Sequence, residues 1–456
     1  MNHLVSINPT TLKEINSYPI HTEAELKSRL EKSEKAWHEW RRTSFKERSS
    51  LLMKAASLLR KNSEELSLLM THEMGKAIRE SRSEIEKSAW VCEYYAENGE
   101  KFLTDEKVEA EAQASYVSFQ PLGTVLAVMP WNFPFWQVFR FSAPALMAGN
   151  VALLKHASNV TGCSLAIEKI FQEAGFPKGV FQSLVIPSKD VAKVIASRVV
   201  RAVSLTGSTP AGKAVASEAG RHLKKVVLEL GGSDPYLILE DANLEEAARL
   251  CVTSRLINSG QSCIAAKRFI VCKEVKSEFE SLVVSEMKKR TLGDPTRELT
   301  DLGPMARVDL RDELHRQVEE SVLKGARLLL GGAIPNFHGA YYPPAVLTDV
   351  SKGTLAYHEE LFGPVATIIQ AKSDKDAIEI ANDTSFGLGA AVFTRDRSRG
   401  ERIARTELQA GAVFVNSFVK SDPRLPFGGI KESGYGRELS DFGIREFVNI
   451  KTVCVY

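Results

Sequence analysis

Cys263 sits in Asn258-Ser259-Gly260-Gln261-Ser262-Cys263-Ile264, and Glu229 lies upstream in Leu228-Glu229-Leu230-Gly231-Gly232. A thiol attacks carbonyl carbons, and a carboxylate takes a proton from water. Both residues stand beside glycines, which mark loops from which side chains project into clefts. The pair suggests covalent catalysis followed by hydrolysis of a thioester. A blander reading competes with it. Most lone cysteines are small buried hydrophobes, and a glutamate before Gly-Gly can end a strand.

Further segments carry chemistry. Pro130-Trp131-Asn132-Phe133-Pro134 follows an apolar run that predicts a strand. Its prolines fix the backbone around Asn132, whose amide offers N–H donors. A carbonyl under attack becomes an oxyanion, which a preorganised amide donor stabilises. Lys155-His156-Ala157-Ser158 stands at another expected strand end. A lysine there binds ribose hydroxyls or phosphate, or is merely solvated. Gly207-Ser208-Thr209-Pro210-Ala211-Gly212 joins a strand to a helix whose first amides could hold a pyrophosphate. Its spacing is neither G-x-G-x-x-G nor a Walker loop. Glu359-Glu360-Leu361-Phe362-Gly363-Pro364 and Pro426-Phe427-Gly428-Gly429, each alone, read as turns with charge nearby.

These residues need elements to position them. At 456 residues the chain exceeds one ordinary core and fits two or three domains. It is 44% hydrophobic and 25% charged, the balance of a globular protein in water. A net charge of +2 gives no basic field for nucleic acid. The six cysteines show no metal spacing, which argues for free thiols in a reducing compartment. The start, Met1-Asn2-His3-Leu4-Val5, has no basic segment followed by a long apolar stretch, and no apolar run approaches about 18 residues. A cytoplasmic enzyme with no membrane span is the expectation.

Residues from about Thr22 to Leu103 read as helices, with capping-box spacing at Thr22/Glu25 and Ser44/Glu47. From Tyr116 the pattern changes. Val125–Met129, Val151–Leu154, Ala202–Leu205 and Val226–Leu230 read as buried strands, with crossover helices at Ser164–Ala174 and Pro210–Ala219. A second α/β region, from about Gly232 to Gly429, places strands at Phe269–Cys272, Val365–Ile369, Ala390–Phe393 and Ala412–Val415. The tail Val448–Tyr456 reads as an edge strand able to pair with another subunit.

Taken in order and at these intervals, the motifs resemble the NAD(P)-dependent aldehyde dehydrogenase superfamily over nearly the full chain. Trp131–Arg140, Lys155-His156-Ala157-Ser158 and Ser421-Asp422-Pro423-Arg424 look like bacterial succinate-semialdehyde dehydrogenases of the shorter type. The resemblance implies an α/β fold with a Rossmann-type cofactor domain (1–102 and 122–231). It further implies a catalytic α/β domain (232–443) and a small β-extension for oligomerisation (103–121 and 444–456). Cys263 would be the nucleophile and Glu229 the base. Asn132, with the Cys263 backbone N–H, would form the oxyanion hole. Trp131, Lys155, Ser158, Gly207, Ser208, Leu230 and Glu360 would line the cofactor site, with Glu360 on the nicotinamide ribose. Arg140 and Ser421 would hold a substrate carboxylate, and no metal is implied.

Relatives that prefer NAD often carry a glutamate at the Ser158 position. Serine there favours NADP, with NAD as second choice. The expected substrate is succinate semialdehyde or a similar small carboxylated aldehyde, and the expected assembly is a homodimer or homotetramer. Rival readings are a broader aliphatic aldehyde dehydrogenase and a CoA-acylating one, whose members typically lack a glutamate at position 229. A papain-like hydrolase needs a histidine partner, and none of the nine histidines has a recognisable setting for it. Many relatives have a second cysteine two positions after the nucleophile; Ala265 stands there, so a local regulatory disulfide is not available.

Overall fold

The computed structural model describes residues 3–336 and 338–456. Of the start considered above, Met1 and Asn2 lie outside the described residues. From His3 the chain forms an antiparallel hairpin, His3–Ile7 with Glu14–Pro19, which the sequence pattern does not announce.

Four helices follow: Glu23–Trp40, Phe45–Lys61, Ser63–Met74 and Ile78–Phe102. The expected capping box forms at Thr22, which takes the Glu25 N–H while the Glu25 carboxylate takes its own. Ser44 likewise accepts the Glu47 N–H. Leu52, Ala55 and Leu59 on the second helix face Ile85, Ala89 and Cys92 on the fourth within one apolar core. Those positions recur at helical spacing, so one face of each helix is apolar.

Six strands make the first large sheet, in the order Gly434–Tyr435, Lys225–Glu229, Val200–Thr206, Thr124–Met129, Val151–His156, Phe181–Ser183. All neighbours are parallel except the short Gly434–Tyr435 edge. Crossover helices Thr161–Glu173 and Thr209–Arg221 stand where expected. From the strand Thr124–Met129 the chain winds one way to Val151–His156 and the other way to Val200–Thr206. The strand order therefore reverses at Met129, and such sheets bind ligands in the crevice outside that point.

Seven strands form the second sheet: Arg327–Leu330, Ala345–Thr348, Val365–Ala371, Arg268–Cys272, Pro235–Ile238, Gly389–Phe393 and Ala412–Val415. Pro235–Ile238, central here, was not expected. It has four residues and begins with proline, a residue tolerated only at a strand's first position. A third sheet joins Glu106–Lys107, Ala114–Pro121 and the C-terminal Val448–Val455. The tail pairs antiparallel along Ala114–Pro121, from Val448 opposite Pro121 to Val455 opposite Ala114, and its other edge is open. Among the described residues, no helix is long and apolar enough to cross a membrane.

Candidate active site

The expected cofactor residues share one line in space. Trp131 follows the strand Thr124–Met129; Lys155 ends Val151–His156, with Ser158 just beyond; Gly207 and Ser208 follow Val200–Thr206; Leu230 follows Lys225–Glu229. These are the carboxyl ends of four neighbouring parallel strands. Ser208 caps the helix Thr209–Arg221 in extended conformation but makes no side-chain cap bond, which leaves first-turn N–H groups for an anion. A Cβ on Gly207 would meet only Leu205, at 3.7 Å, so backbone there is open to close approach. Gly212 has the opposite reason: a Cβ would fall 2.5 Å from Leu230 Cδ2. Lys155 is buried, bonds Ser188 Oγ at 3.2 Å, and is pulled down to about 8 by desolvation. An uncapped helix start and a buried lysine at carboxyl ends of the same parallel sheet fit a dinucleotide.

Cys263 lies beyond a turn of unusual backbone. Asn258 and Ser259 have φ of 53° and 52°, and Gly260 has 76°. Asparagine tolerates this left-handed region, serine less so. Glycine is required at 260 because a Cβ there would overlap the Gly363 carbonyl. The turn is tied on every side. Glu80 accepts the Asn258 N–H at 2.9 Å, Asn258 Nδ2 donates to the Asn132 carbonyl at 2.8 Å, and Ser259 Oγ donates to the Gly303 carbonyl at 3.1 Å. Burial pushes the Glu80 carboxyl up to about 6.

Asn132 is held from both ends. Its Nδ2 donates to the Gln261 carbonyl at 3.0 Å, and its Oδ1 accepts from Gln137 Nε2 at 3.1 Å. A primary amide has two hydrogens, so one remains for a ligand. Gln137 belongs to the helix Trp136–Met147, whose opening N–H groups at Phe135 and Trp136 bond Glu84 Oε1 at 2.8 and 3.0 Å. Glu84 is buried against Lys76, which also lies over the Phe133 ring.

Cys263 opens onto a cavity of about 330 Å³, shared with Trp136, Gln137, Arg140, Lys87 and Ser421. Burial pushes the thiol up to about 12, against the pull of Lys267 and Arg140. Glu229 is 2% exposed, and neither of its oxygens has a hydrogen-bond partner. Desolvation, then neighbouring Glu438, holds its carboxyl well above the usual range, partly offset by Arg140 and Arg437. Such a group binds a proton avidly, as a base must.

Arg140 reaches the cavity from the helix Trp136–Met147, but its charge is already matched. It is buried against Glu438, bonds Thr206 Oγ1 at 3.3 Å, and lies over the Phe427 ring. A further cation on the cavity wall, Lys87, makes no ion pair among the described residues, and nothing in its sequence spacing marks it. Lys87 Nζ donates to Ser421 Oγ at 2.7 Å and lies 4.2 Å from the Trp136 ring centroid. Burial, then Arg140, pulls Lys87 down to about 8. Glu80, Glu84 and Lys87 are spaced i, i+4, i+7 on one helix face, a pattern that ordinarily marks a solvated stripe. Glu360 is turned inward, accepting the Gly232 N–H at 3.2 Å.

Parallel strand ends of a dinucleotide-binding kind and a cavity onto which a cysteine opens are the features of a dehydrogenase fold. The model of the aldehyde dehydrogenase family matches residues 2–453, and the chain belongs to that family. It is 48% identical over 452 residues to a probable NADP(+) succinate-semialdehyde dehydrogenase of Synechocystis sp., covering 99% of each chain. It is 46% identical to a succinate semialdehyde dehydrogenase of Escherichia coli K12 named for NAD(P)+, covering 99% of this chain and 97% of that one. The structure of succinic semialdehyde dehydrogenase from Streptococcus pyogenes in complex with NADP+ superposes with a TM-score of 0.97 at 35% identity, covering 99% of each chain.

The Lys76–Glu84 pair supports the whole helix start. Glu84→Gln keeps an acceptor but leaves a buried ammonium unpaired, and should lower unfolding free energy by about 3 kcal/mol. Urea denaturation measures this, and a loss well under about 1 kcal/mol would mean that the pair is not structural. Lys76→Met/Glu84→Gln should recover part of the loss.

Proposed function

We propose that the protein oxidises succinate semialdehyde, or a similar small carboxylated aldehyde, to the acid, preferring NADP. One observation carries the substrate: an ammonium without an ion pair, Lys87, bonded to Ser421 in the apolar cavity onto which Cys263 opens. Lys87 is half-buried, and a partly desolvated cation without an ion pair suits a ligand that brings the negative charge. Arg140, matched by Glu438, adds its remaining donors to the same wall. An uncharged aliphatic aldehyde would leave Lys87 unanswered, which disfavours the broader-specificity reading.

The Cys263 sulfur attacks the aldehyde carbon. The oxyanion that forms is held by the second hydrogen of Asn132 and the Cys263 backbone N–H. Trp131, Lys155, Ser158, Gly207, Ser208, Leu230 and Glu360 would hold the dinucleotide, which when bound supplies the hydride acceptor that turns the thiohemiacetal into a thioester. Glu229 then takes a proton from water, the hydroxide adds to the thioester carbon, and the thiolate of Cys263 leaves. The raised proton affinity of Glu229 suits that step. Its presence disfavours acyl transfer to CoA.

Residues 1–102 and 122–231 form the cofactor domain in this reading, and 232–443 the catalytic domain. Residues 103–121 and 444–456 bridge subunits through the open edge of Val448–Val455, giving a homodimer or homotetramer. Six free cysteines suit the cytoplasm.

Two experiments test the reading. Lys87→Met should cut kcat/KM for succinate semialdehyde by about 10- to 100-fold, through KM, and leave butanal nearly unchanged. In the wild type, KM for succinate semialdehyde should rise as pH passes about 8, where Lys87 loses its proton. Equal losses on both aldehydes would refute the carboxylate site. For the cofactor, Ser158→Glu should lower kcat/KM with NADP by at least about tenfold, because a carboxylate repels a 2′-phosphate, and spare NAD. A wild type that prefers NAD would overturn the assignment.

A further inference from the structure

Four residues after Cys263 stands Lys267, whose side chain is 1% exposed. A buried ammonium persists where its charge and its three donors are all met. Here Nζ donates to the backbone carbonyls of Ser262 at 2.9 Å and Cys263 at 2.7 Å. The third partner is Glu360 Oε1, at 3.1 Å. That same oxygen accepts the Gly232 N–H, and a Cβ on Gly232 would lie 2.9 Å from the Cys263 carbonyl oxygen. One lysine therefore joins the nucleophile's own peptide, the segment after Glu229, and the loop before the strand Val365–Ala371.

We propose that Lys267 is a positioning residue for the nucleophile: it clamps the Cys263 turn by two carbonyls and sets the charge beside the sulfur according to whether Glu360 lies against it. This rests on Cys263 being the nucleophile, as proposed above. Glu360 is the partner able to leave, since the other two are backbone and its own side chain is 19% exposed. When it turns outward toward the crevice, the ammonium stays behind, held by dipoles but no longer neutralised. The thiolate then gains stability.

Other charges around the thiol have fixed partners. Among the groups that act on it, Arg140 is paired with Glu438 and Asp234 accepts the Gly389 N–H. On the cavity wall, Glu84 is paired with Lys76, Glu80 holds the Asn258 N–H, and Lys87 holds Ser421. Glu229, buried at its strand end, is fixed there, and desolvation and then Glu438 raise its carboxyl above the usual range. Glu360 is left as the carboxylate whose position changes the balance. Lys267 is the largest charged influence favouring the thiolate, and Glu360 opposes it.

The test is alkylation of Cys263 by iodoacetamide as a function of pH, read on its peptide by mass spectrometry. Full-length protein carrying Cys454→Ser is used, because Cys454 is the one exposed thiol. Glu360→Gln should shift the rate–pH curve toward lower pH, with about tenfold faster alkylation at a given pH, the effect of one pK unit. Lys267→Met should shift the curve the opposite way. A curve that does not move in Glu360→Gln overturns the proposal, and that variant decides alone if Lys267→Met fails to fold. A Lys267→Met curve at or below the wild-type position overturns it as well. Cys263→Ala that still oxidises aldehyde would instead sink the nucleophile reading, so the two failures are distinct.

Discussion

The turn Asn258-Ser259-Gly260 governs the geometry of the whole site. Three successive residues with φ between 52° and 76° are a conformation the chain does not adopt unaided. A serine there costs on the order of 1 kcal/mol or more and persists only when surrounding structure over-determines it. Glu80, the Asn132 carbonyl, the Gly303 carbonyl and the close approach of Gly363 supply that determination. Each tie comes from a different part of the chain. The turn therefore brings Cys263, Asn132 and the loop that carries Glu360 into one frame, so that none is placed alone.

Charge follows the same economy. Almost every ionised group near Cys263 is buried with a specific partner: Lys76 with Glu84, Arg140 with Glu438, Lys267 with Glu360. Two groups stand outside the pattern. Glu229 has no hydrogen-bond partner and is shifted toward the protonated form, and Lys87 has a hydroxyl but no carboxylate. Unpaired groups in a dry interior are costly. They occur here where the proposed mechanism needs a proton acceptor and where the proposed carboxylate ligand would sit.

Much of this was legible in the sequence. Cys263, Glu229 and Asn132 each sit beside glycine or proline punctuation at an element end, which is visible locally. The crossover strands from Val125 to Leu230 showed as apolar runs, and their carboxyl ends then placed the crevice. What stayed hidden depends on distant partners. Lys267 in Ala-Ala-Lys-Arg reads as a solvated turn until Glu360 is known to face it. Lys87 reads as part of a polar helix face until Ser421 arrives from the far end of the chain. The pairing of Arg140 with Glu438 cannot be read from spacing either. The strand Pro235–Ile238 is too short to show a period, and the N-terminal hairpin lacks turn residues of the usual two-residue kind.

The central claim is that Cys263 carries the acyl group and that Glu229 acts afterwards, on its release. Mass spectrometry of Glu229→Gln, quenched in acid after mixing with NADP and succinate semialdehyde, tests it most directly. The account predicts a succinyl adduct on the Cys263 peptide at near-stoichiometric level, formed along with one equivalent of reduced cofactor. An unmodified Cys263 peptide in a variant that has lost turnover, or an adduct on another residue, would contradict it.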